Sequence, residues 1–276
     1  MSSAGSERTF ELELSAAHRA VDDAAAVLRE GWGGNRSLAR TAKGAKDFLT
    51  EVDLASEAAL KRALAAATPD IGFFGEEGGG DALDRGRVWV ADPLDGTINY
   101  AHGSPLCGVM LALVEDGQPV LSVTELPFLR KRLDARAGAG ARLDGEPVHV
   151  SDVQSVTDAI IAMGDAFHRG GPRQAAYLEL TTIVHRRALR FRCVGSAAVL
   201  WSWLAAGQLH GMILAHNNPY DVAAGHILAK EAGAIVTDYA GQPLRLDSAG
   251  ALACVPSAHA ELVALSADLA RAASAL

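Results

Sequence analysis

The chain has 276 residues, of which 49% are hydrophobic and 21% are charged. This composition is ordinary for a folded protein and excludes disorder on the scale of the whole chain. The formal net charge is −8, from 25 Lys and Arg against 33 Asp and Glu, which argues against a broad nucleic-acid-binding face. An anionic substrate remains compatible with this charge, because a bound metal ion can reverse the local field.

The three cysteines, Cys107, Cys193 and Cys254, are widely spaced and form no CxxC or Cys/His metal pattern. A sparse, odd set of this kind is typical of a reducing compartment. The first residues contain neither the basic segment nor the apolar run of a signal peptide, and no apolar stretch reaches the roughly 20 residues that span a bilayer. We therefore expect a cytoplasmic protein without a membrane partner.

Apolar spacing and turn residues predict the elements of a first half, which we place at residues 1–150. Helical spacing predicts helices over about 10–30 and 53–67. Short apolar runs then predict strands at 71–74, 88–91, 109–114 and 120–123, with turns at 115–117 and 143–145. The strands at 71–74 and 88–91 are each followed directly by acidic residues.

The second half, residues 151–276, alternates between strand and helix patterns. Strands are predicted at 159–163, 190–193, 211–214 and 234–238, with helices at about 172–187, 196–206 and 221–232. The small-residue-rich tail at 257–276 predicts one terminal helix. This alternation is typical of an α/β arrangement.

The most informative segment is Asp92-Pro93-Leu94-Asp95-Gly96-Thr97, which follows the predicted strand at 88–91. Pro93 fixes its own φ and favours an extended Asp92, so the two carboxylates are held in a set relation. Gly96 leaves room for a phosphate beside the backbone, and Thr97 can open a helix whose N-terminus favours an anion. Two aspartates and the Leu94 carbonyl are oxygen ligands of the kind that Mg²⁺ prefers.

Three further acidic positions lie in patterned segments. Glu76 and Glu77 follow a strand in the same way as Asp92, so one of them can converge on the same metal. Asp53 and Asp221 each stand where a helix is predicted to begin, and for both an N-cap role is the simpler explanation from local sequence alone.

Together these segments resemble the inositol monophosphatase family of lithium-sensitive, Mg²⁺-dependent phosphatases. The run from Asp92 to Thr97 matches the first signature of the family, and Tyr220-Asp221-Val222-Ala223-Ala224-Gly225 resembles the second, where Trp-Asp is more usual. The resemblance covers about residues 10–260. It implies a layered αβαβα sandwich, with an α+β half at 1–150, an α/β half at 151–276 and the site between them. A homodimer is common in the family.

The resemblance also implies roles for individual residues around two or three Mg²⁺ ions. Metal ligands are Glu76, Asp92, the Leu94 carbonyl, Asp95 and Asp221. Glu76 and Thr97 orient the attacking water, with Asp53 behind Thr97, and whether Glu77 contributes is left open. Lys43 matches a family lysine near the site and is a further candidate for specificity. Substrate contacts come from Asp95, Gly96, Thr97, Gly195, Ser196, Ala197 and Asp221.

The residues that set specificity depart from the family pattern. Counting back from Asp221 without a gap, Leu214 stands where inositol-specific members have a glutamate, and His216, Asn217 and Asn218 are the nearest polar replacements. The predicted activity is therefore hydrolysis of a small phosphate monoester, such as an inositol, sugar, cyclitol or histidinol phosphate, by direct attack of water. The alternatives are a bisphosphate or nucleotide 3′-phosphatase of the same superfamily and a non-catalytic regulatory member of the fold.

Overall fold

The computed structural model describes residues 10–33, 41–44, 47–49, 51–165, 172–215 and 217–274. Lys43 lies on a described strand whose side chains are not described, and His216 lies outside the described residues. The helices in the described part are α1 (Glu11–Gly31), α2 (Glu51–Ala67), α3 (Thr97–Ala101), α4 (Pro172–Arg187), α5 (Ala197–Ala205), α6 (Pro219–Glu231), α7 (Pro256–Leu265) and α8 (Ala267–Ser274).

The described strands form two large sheets and one small pair. The pair is β1 (Thr41–Gly44) with β2 (Asp47–Leu49). The first large sheet contains β3 (Gly72–Gly75), β4 (Gly79–Gly80), β5 (Arg87–Asp95), β6 (Gly108–Glu115), β7 (Gln118–Leu126), β8 (Lys131–Arg136), β9 (Gly140–Leu143) and β10 (Glu146–Val148). The second contains β11 (Ile160–Met163), β12 (Arg190–Arg192), β13 (Gly211–Leu214), β14 (Ile235–Thr237) and β15 (Ala251–Cys254).

The strand order explains how the two halves differ. The first sheet has the order β10-β9-β8-β7-β6-β5-β3-β4, and it is antiparallel except where β3 pairs with β5. The second has the order β12-β11-β13-β15-β14, in which β12, β11 and β13 are parallel. Parallel neighbours need crossover connections, and α4 and α5 supply them.

Both sheets are covered on both faces, because their central strands are apolar at successive positions. On β5, Trp89 packs with α1 and α2, whereas Val90 packs with α5 and α6 on the opposite face. On β13, Leu214 belongs to the layer shared with α5 and α6, and Ile213 packs towards α4 and α7. The layers are therefore α1/α2, first sheet, α5/α6, second sheet, and α4/α7/α8, which confirms the predicted αβαβα sandwich.

The structure corrects three local predictions. α2 begins at Glu51, so Asp53 lies inside its first turn and is not the N-cap. α6 begins at Pro219 with Asn218 at the N-cap, so Asp221 also lies inside the first turn. The C-terminal segment predicted as one helix is two, because α7 ends at Leu265 and α8 begins at Ala267.

The proposed division at residues 150 and 151 falls between the two large sheets, since β10 ends at Val148 and β11 begins at Ile160. It remains a proposal. In the described part of the chain, no helix combines the length and apolar character needed to cross a bilayer.

Candidate metal centre

The C-terminal end of β5 carries two buried carboxylates, Asp92 and Asp95, whose residues are 2% and 7% exposed. The pairing of β5 with β6 shifts register between these positions, where Pro93 has no N–H to donate. The Leu94 amide donates to Asp92 Oδ1 at 3.0 Å, and the Ser56 hydroxyl donates to the Pro93 carbonyl at 2.7 Å. The strand and α2 therefore hold this irregular segment in one conformation.

Asp221 approaches the same point from the first turn of α6. Carboxylate oxygens of Asp92, Asp95 and Asp221 lie within 4.8 Å of one another. Trp201 Nε1 donates to the Asp221 backbone carbonyl at 3.0 Å, and Asn218 Nδ2 donates to Asp221 Oδ2 at 2.8 Å. The strand β5 and the helix α6 thus contribute to one acidic cluster.

Gly225, the last residue of the second signature, makes the approach of α6 possible. A Cβ at this position would collide with the indole ring of Trp201. Because glycine leaves that space open, Trp201 packs against α6 while its ring N–H reaches the Asp221 carbonyl. Gly225 therefore influences the site by allowing Trp201 to pack against α6, where its ring N–H holds the Asp221 backbone.

The negative charges of the clustered carboxylates repel one another. Burial raises the pKa of Asp92 well above its ordinary value, and the negative charges of Glu76, Asp95 and Asp221 raise it further. Burial also raises the pKa of Asp95, although hydrogen bonds from Ser196, Ala198 and Ala197 act in the opposite direction. Three converging carboxylates with mutual repulsion fit a hard divalent cation, which takes oxygen ligands and neutralises the charge.

The N-terminus of α5 binds Asp95. The Ser196 hydroxyl and the Ala198 amide donate to Asp95 Oδ2, and the Ala197 amide donates to Oδ1 at 3.0 Å. Ser196 also caps α5, since its oxygen accepts from the Val199 amide at 3.2 Å. The turn that the motif comparison related to substrate thus lies directly against a residue of the acidic cluster.

Thr97 and Asp53 form a second polar unit beside the cluster. The Thr97 hydroxyl oxygen lies 3.1 Å from both Asp53 Oδ1 and the Leu94 carbonyl oxygen. Both are acceptors, so the single hydroxyl proton serves one of them at a time. Asp53 is only 1% exposed. Gly96 precedes this unit with φ of 80°, and a Cβ there would lie 3.0 Å from the Leu106 carbonyl oxygen.

Glu76 lies beside the acidic cluster on the turn that follows β3. Its backbone amide donates to the Ala91 carbonyl at 3.2 Å, and its side chain is half-buried. Glu76, rather than Glu77, is among the charges that raise the pKa of Asp92. The structure therefore places Glu76 next to the three aspartates but does not bring it into their 4.8 Å group.

Two supporting residues were not identified from the sequence. The Glu57 carboxylate accepts from the Glu77 amide at 2.8 Å and from the Gly78 amide at 3.0 Å, which holds the turn that carries Glu76. Asn99 Nδ2 donates to the Leu106 and Val194 carbonyls, both at 2.7 Å. Neither position has a local signal, because Glu57 looks like an ordinary helix-surface residue and Asn99 makes contacts distant in sequence.

The structure places the candidate specificity residues in different environments. Leu214 is 6% exposed, and its side chain belongs to the core between the two sheets. Asn217 Nδ2 donates to the Arg245 carbonyl at 2.8 Å, whereas Asn218 contacts Asp221. Of the three polar residues that precede Pro219, Asn218 is therefore the one placed at the acidic cluster among the described residues.

Comparison with known proteins identifies the family. The family model described as "Inositol monophosphatase family" matches residues 11–271. The chain belongs to the inositol monophosphatase family. This confirms the resemblance inferred from the motifs, and it makes the protein a phosphatase of this superfamily, a phosphoric monoester hydrolase whose family depends on metal ions.

Individual relatives cover most of the chain. Inositol-1-monophosphatase ImpA of Mycolicibacterium smegmatis is 39% identical over 233 residues, which is 83% of this chain and 84% of the relative. A protein named fructose-1,6-bisphosphatase/inositol-1-monophosphatase from Thermotoga maritima is 35% identical and covers 72% of this chain and 74% of its own length. A solved IMPase structure from the same organism has a TM-score of 0.84 at 30% identity, over 94% of this chain and 98% of that one.

Proposed function

We propose that the protein hydrolyses a small phosphate monoester with the help of two or three Mg²⁺ ions. Residues that would hold the ions are Glu76, Asp92, the Leu94 carbonyl, Asp95 and Asp221. The observation that carries this proposal is the convergence of the Asp92, Asp95 and Asp221 carboxylates within 4.8 Å of one another, with Asp92 and Asp95 buried. Burial raises the pKa of Asp92, and the charges of Glu76, Asp95 and Asp221 raise it further. Such a group is costly to ionise without a cation, and a bound cation removes the cost.

When bound, the ions would supply charge stabilisation for the phosphoryl group and would lower the pKa of an attacking water. The contacts of Thr97 support a role for this residue in orienting that water. Because the Thr97 proton is directed to Asp53 or to the Leu94 carbonyl, the Thr97 oxygen presents lone pairs to solvent-side donors. A water that donates a hydrogen bond to Thr97 would keep a lone pair free for attack on the phosphate.

The environments of the possible protein nucleophiles support attack by water. Ser196 donates its proton to Asp95 and accepts from the Val199 amide, so its hydroxyl is engaged in structure. Burial raises the pKa of the Cys193 thiol to about 11, and the nearby Asp165 raises it as well. A thiol with such a pKa is protonated at neutral pH and is a poor nucleophile.

A phosphate-release assay tests the proposal. We expect turnover that requires Mg²⁺, stops in excess chelator and is inhibited by Li⁺, because a small monovalent ion can occupy a carboxylate site without supplying the divalent charge. Unchanged turnover in excess chelator would contradict the metal requirement. The absence of phosphate release from every compound of a broad monoester panel would contradict the activity itself.

The panel needs myo-inositol 1-phosphate, L-histidinol phosphate, sugar monophosphates, fructose 1,6-bisphosphate and 3′-phosphoadenosine 5′-phosphate. The bisphosphate arm is included because the Thermotoga maritima relative carries both activities in its name. A cytoplasmic homodimer also remains part of the proposal, and sedimentation velocity tests the oligomeric state.

A further inference from the structure

An exposed carboxylate, Asp165, lies just beyond the C-terminal end of β11. β11 and β13 are parallel neighbours, with Met163 opposite Ile213, and the Gly164 amide donates to the Ile213 carbonyl at 2.8 Å. Asp165 therefore lies at the edge of the second sheet where its parallel strands have their carboxyl ends. This edge is where α/β sheets bind ligands.

The backbone before Asp165 is held from two sides. The Tyr177 hydroxyl lies 2.8 Å from the Gly164 carbonyl oxygen, to which it can donate. A Cβ at Gly164 would lie 3.0 Å from Leu214 Cδ2, so the glycine allows Leu214 to pack directly on this backbone. The position of Asp165 is thus defined by the fold, with an apolar side chain beside it.

Asp165 faces the turn that binds Asp95. A Cβ at Gly195, the first residue of that turn, would lie 3.7 Å from Asp165 Oδ2, and Asp165 contributes to the raised pKa of Asp95. Asp165 Oδ1 accepts from the Cys193 thiol at 3.5 Å. Within the described part of the chain, no Lys, Arg or His forms an ion pair with Asp165. Its charge is therefore exposed beside the acidic cluster without a described counter-ion.

We propose that Asp165 determines specificity by binding the alcohol portion of the substrate, and that it favours an alcohol carrying an ammonium group. This inference rests on the proposed phosphatase function. The phosphate belongs at the cations that the acidic cluster would hold, because the Asp165 carboxylate by itself repels an anion. The neighbouring Leu214 side chain offers no hydrogen-bond acceptor, so among the side chains that the structure describes here Asp165 is the one that offers a charged acceptor. An ammonium group both donates hydrogen bonds and neutralises the charge.

A matched pair of substrates tests this proposal: L-histidinol phosphate and the same compound without its amino group. p-Nitrophenyl phosphate serves as a reference without ammonium or hydroxyl donors. We expect the wild-type protein to prefer the amino compound. The Asp165→Asn variant should lose roughly tenfold to 100-fold in kcat/KM on it, mainly through KM. The deaminated compound and the reference should change by less than about threefold, on the scale of a single neutral hydrogen bond.

Asp158→Asn is the control, because Asp158 is an exposed aspartate at the opposite end of β11. It should leave all three substrates unchanged. Equal losses on all substrates in Asp165→Asn would assign Asp165 a structural role and overturn the proposal. So would a wild-type protein that does not discriminate between the matched compounds. If the wild-type protein releases phosphate from other members of the monoester panel but from none of these three compounds, the present inference fails while the proposed function stands. Failure on the whole panel overturns the proposed function, and the present inference with it.

Discussion

The Ser196 hydroxyl donates a hydrogen bond to the Asp95 carboxylate, joining residues 101 positions apart in the chain. Ser196 belongs to the turn before α5, and Asp95 ends a strand of the other sheet. The same hydroxyl oxygen caps α5. One side chain therefore serves the fold of the second half and the orientation of a candidate metal ligand in the first.

Replacing Ser196 by alanine should lower both stability and metal affinity. The loss of a cap and of one hydrogen bond to a carboxylate predicts a decrease of about 1–2 kcal/mol in the free energy of unfolding. The amides of Ala197 and Ala198 still hold Asp95, so turnover should persist at high Mg²⁺. Denaturant unfolding and a Mg²⁺ titration of kcat measure these effects. Ser196→Thr keeps the hydroxyl and should behave like the wild type; if it does not, the hydroxyl is not the important group.

Asp92→Asn should abolish phosphate release without destabilising the metal-free protein. The folded-state pKa of Asp92 lies well above its ordinary value of 3.8, so the ionised group at neutral pH opposes folding when no cation is present. The isosteric amide removes that charge. Thermal unfolding in chelator should give a Tm equal to or above that of the wild type.

Addition of Mg²⁺ should raise the Tm of the wild-type protein more than that of Asp92→Asn. The exposed residue Asp70 offers a matched control, since Asp70→Asn should change neither turnover nor the response to Mg²⁺. An Asp92→Asn protein that unfolds in chelator, or that retains the wild-type rate, would show that Asp92 is structural or incidental.

Glu57→Gln should impair the site through the turn that carries Glu76. Glutamine keeps one acceptor, but its NH₂ group would face a backbone N–H, where Glu57 now accepts from the Glu77 and Gly78 amides. We expect a loss of about 1–3 kcal/mol in the free energy of unfolding. The Mg²⁺ concentration for half-maximal activity should also rise.

The change in Mg²⁺ dependence distinguishes a role of Glu57 in positioning Glu76 from a role in stability alone. Glu51→Gln, at an exposed position in the first turn of the same helix, is the control. A Glu57→Gln protein with reduced stability but an unchanged Mg²⁺ dependence would restrict Glu57 to a structural role.

The half-buried His226, whose ring Nδ1 is shielded from solvent, should make the protein less stable in mild acid. Burial, with a smaller contribution from Lys230, lowers the pKa of His226 from 6.5 to about 4. Above pH 6.5 the ring is neutral in both states, whereas between pH 6.5 and about 4 only the unfolded chain takes up the proton. The free energy of unfolding should therefore fall with pH by up to about 3 kcal/mol over this window.

His226→Gln should flatten the pH dependence of unfolding measured by denaturant titration at several pH values. His102→Gln, at an exposed position, should not. Parallel pH profiles for the wild type and His226→Gln would show that other groups cause the acid sensitivity.

Local sequence determined a large part of the fold. The β6–β7 hairpin, the turn at 143–145 and the alternation of strands and helices from β11 to β14 were predicted, because apolar period and turn residues act within a few positions. The strand β15 was not predicted. The segment from Asp92 to Thr97 also pointed to a strand that delivers carboxylates, followed by a short helix. Element boundaries were less accurate: the helices containing Asp53 and Asp221 each begin two residues earlier than predicted.

Tertiary structure decided which side chains meet. Asp221 approaches Asp92 only because α6 packs between the two sheets, and the Asn99 contact to Val194 spans 95 positions. Glu57 supports Glu76, and Asp165 faces Gly195, through contacts that no local pattern encodes. Hydrogen bonds and repulsion between carboxylates act over a few ångströms in space. The motifs alone therefore identified the groups able to bind metal, while the packing of helices between two sheets determined their neighbours, their burial and the direction of their pKa shifts.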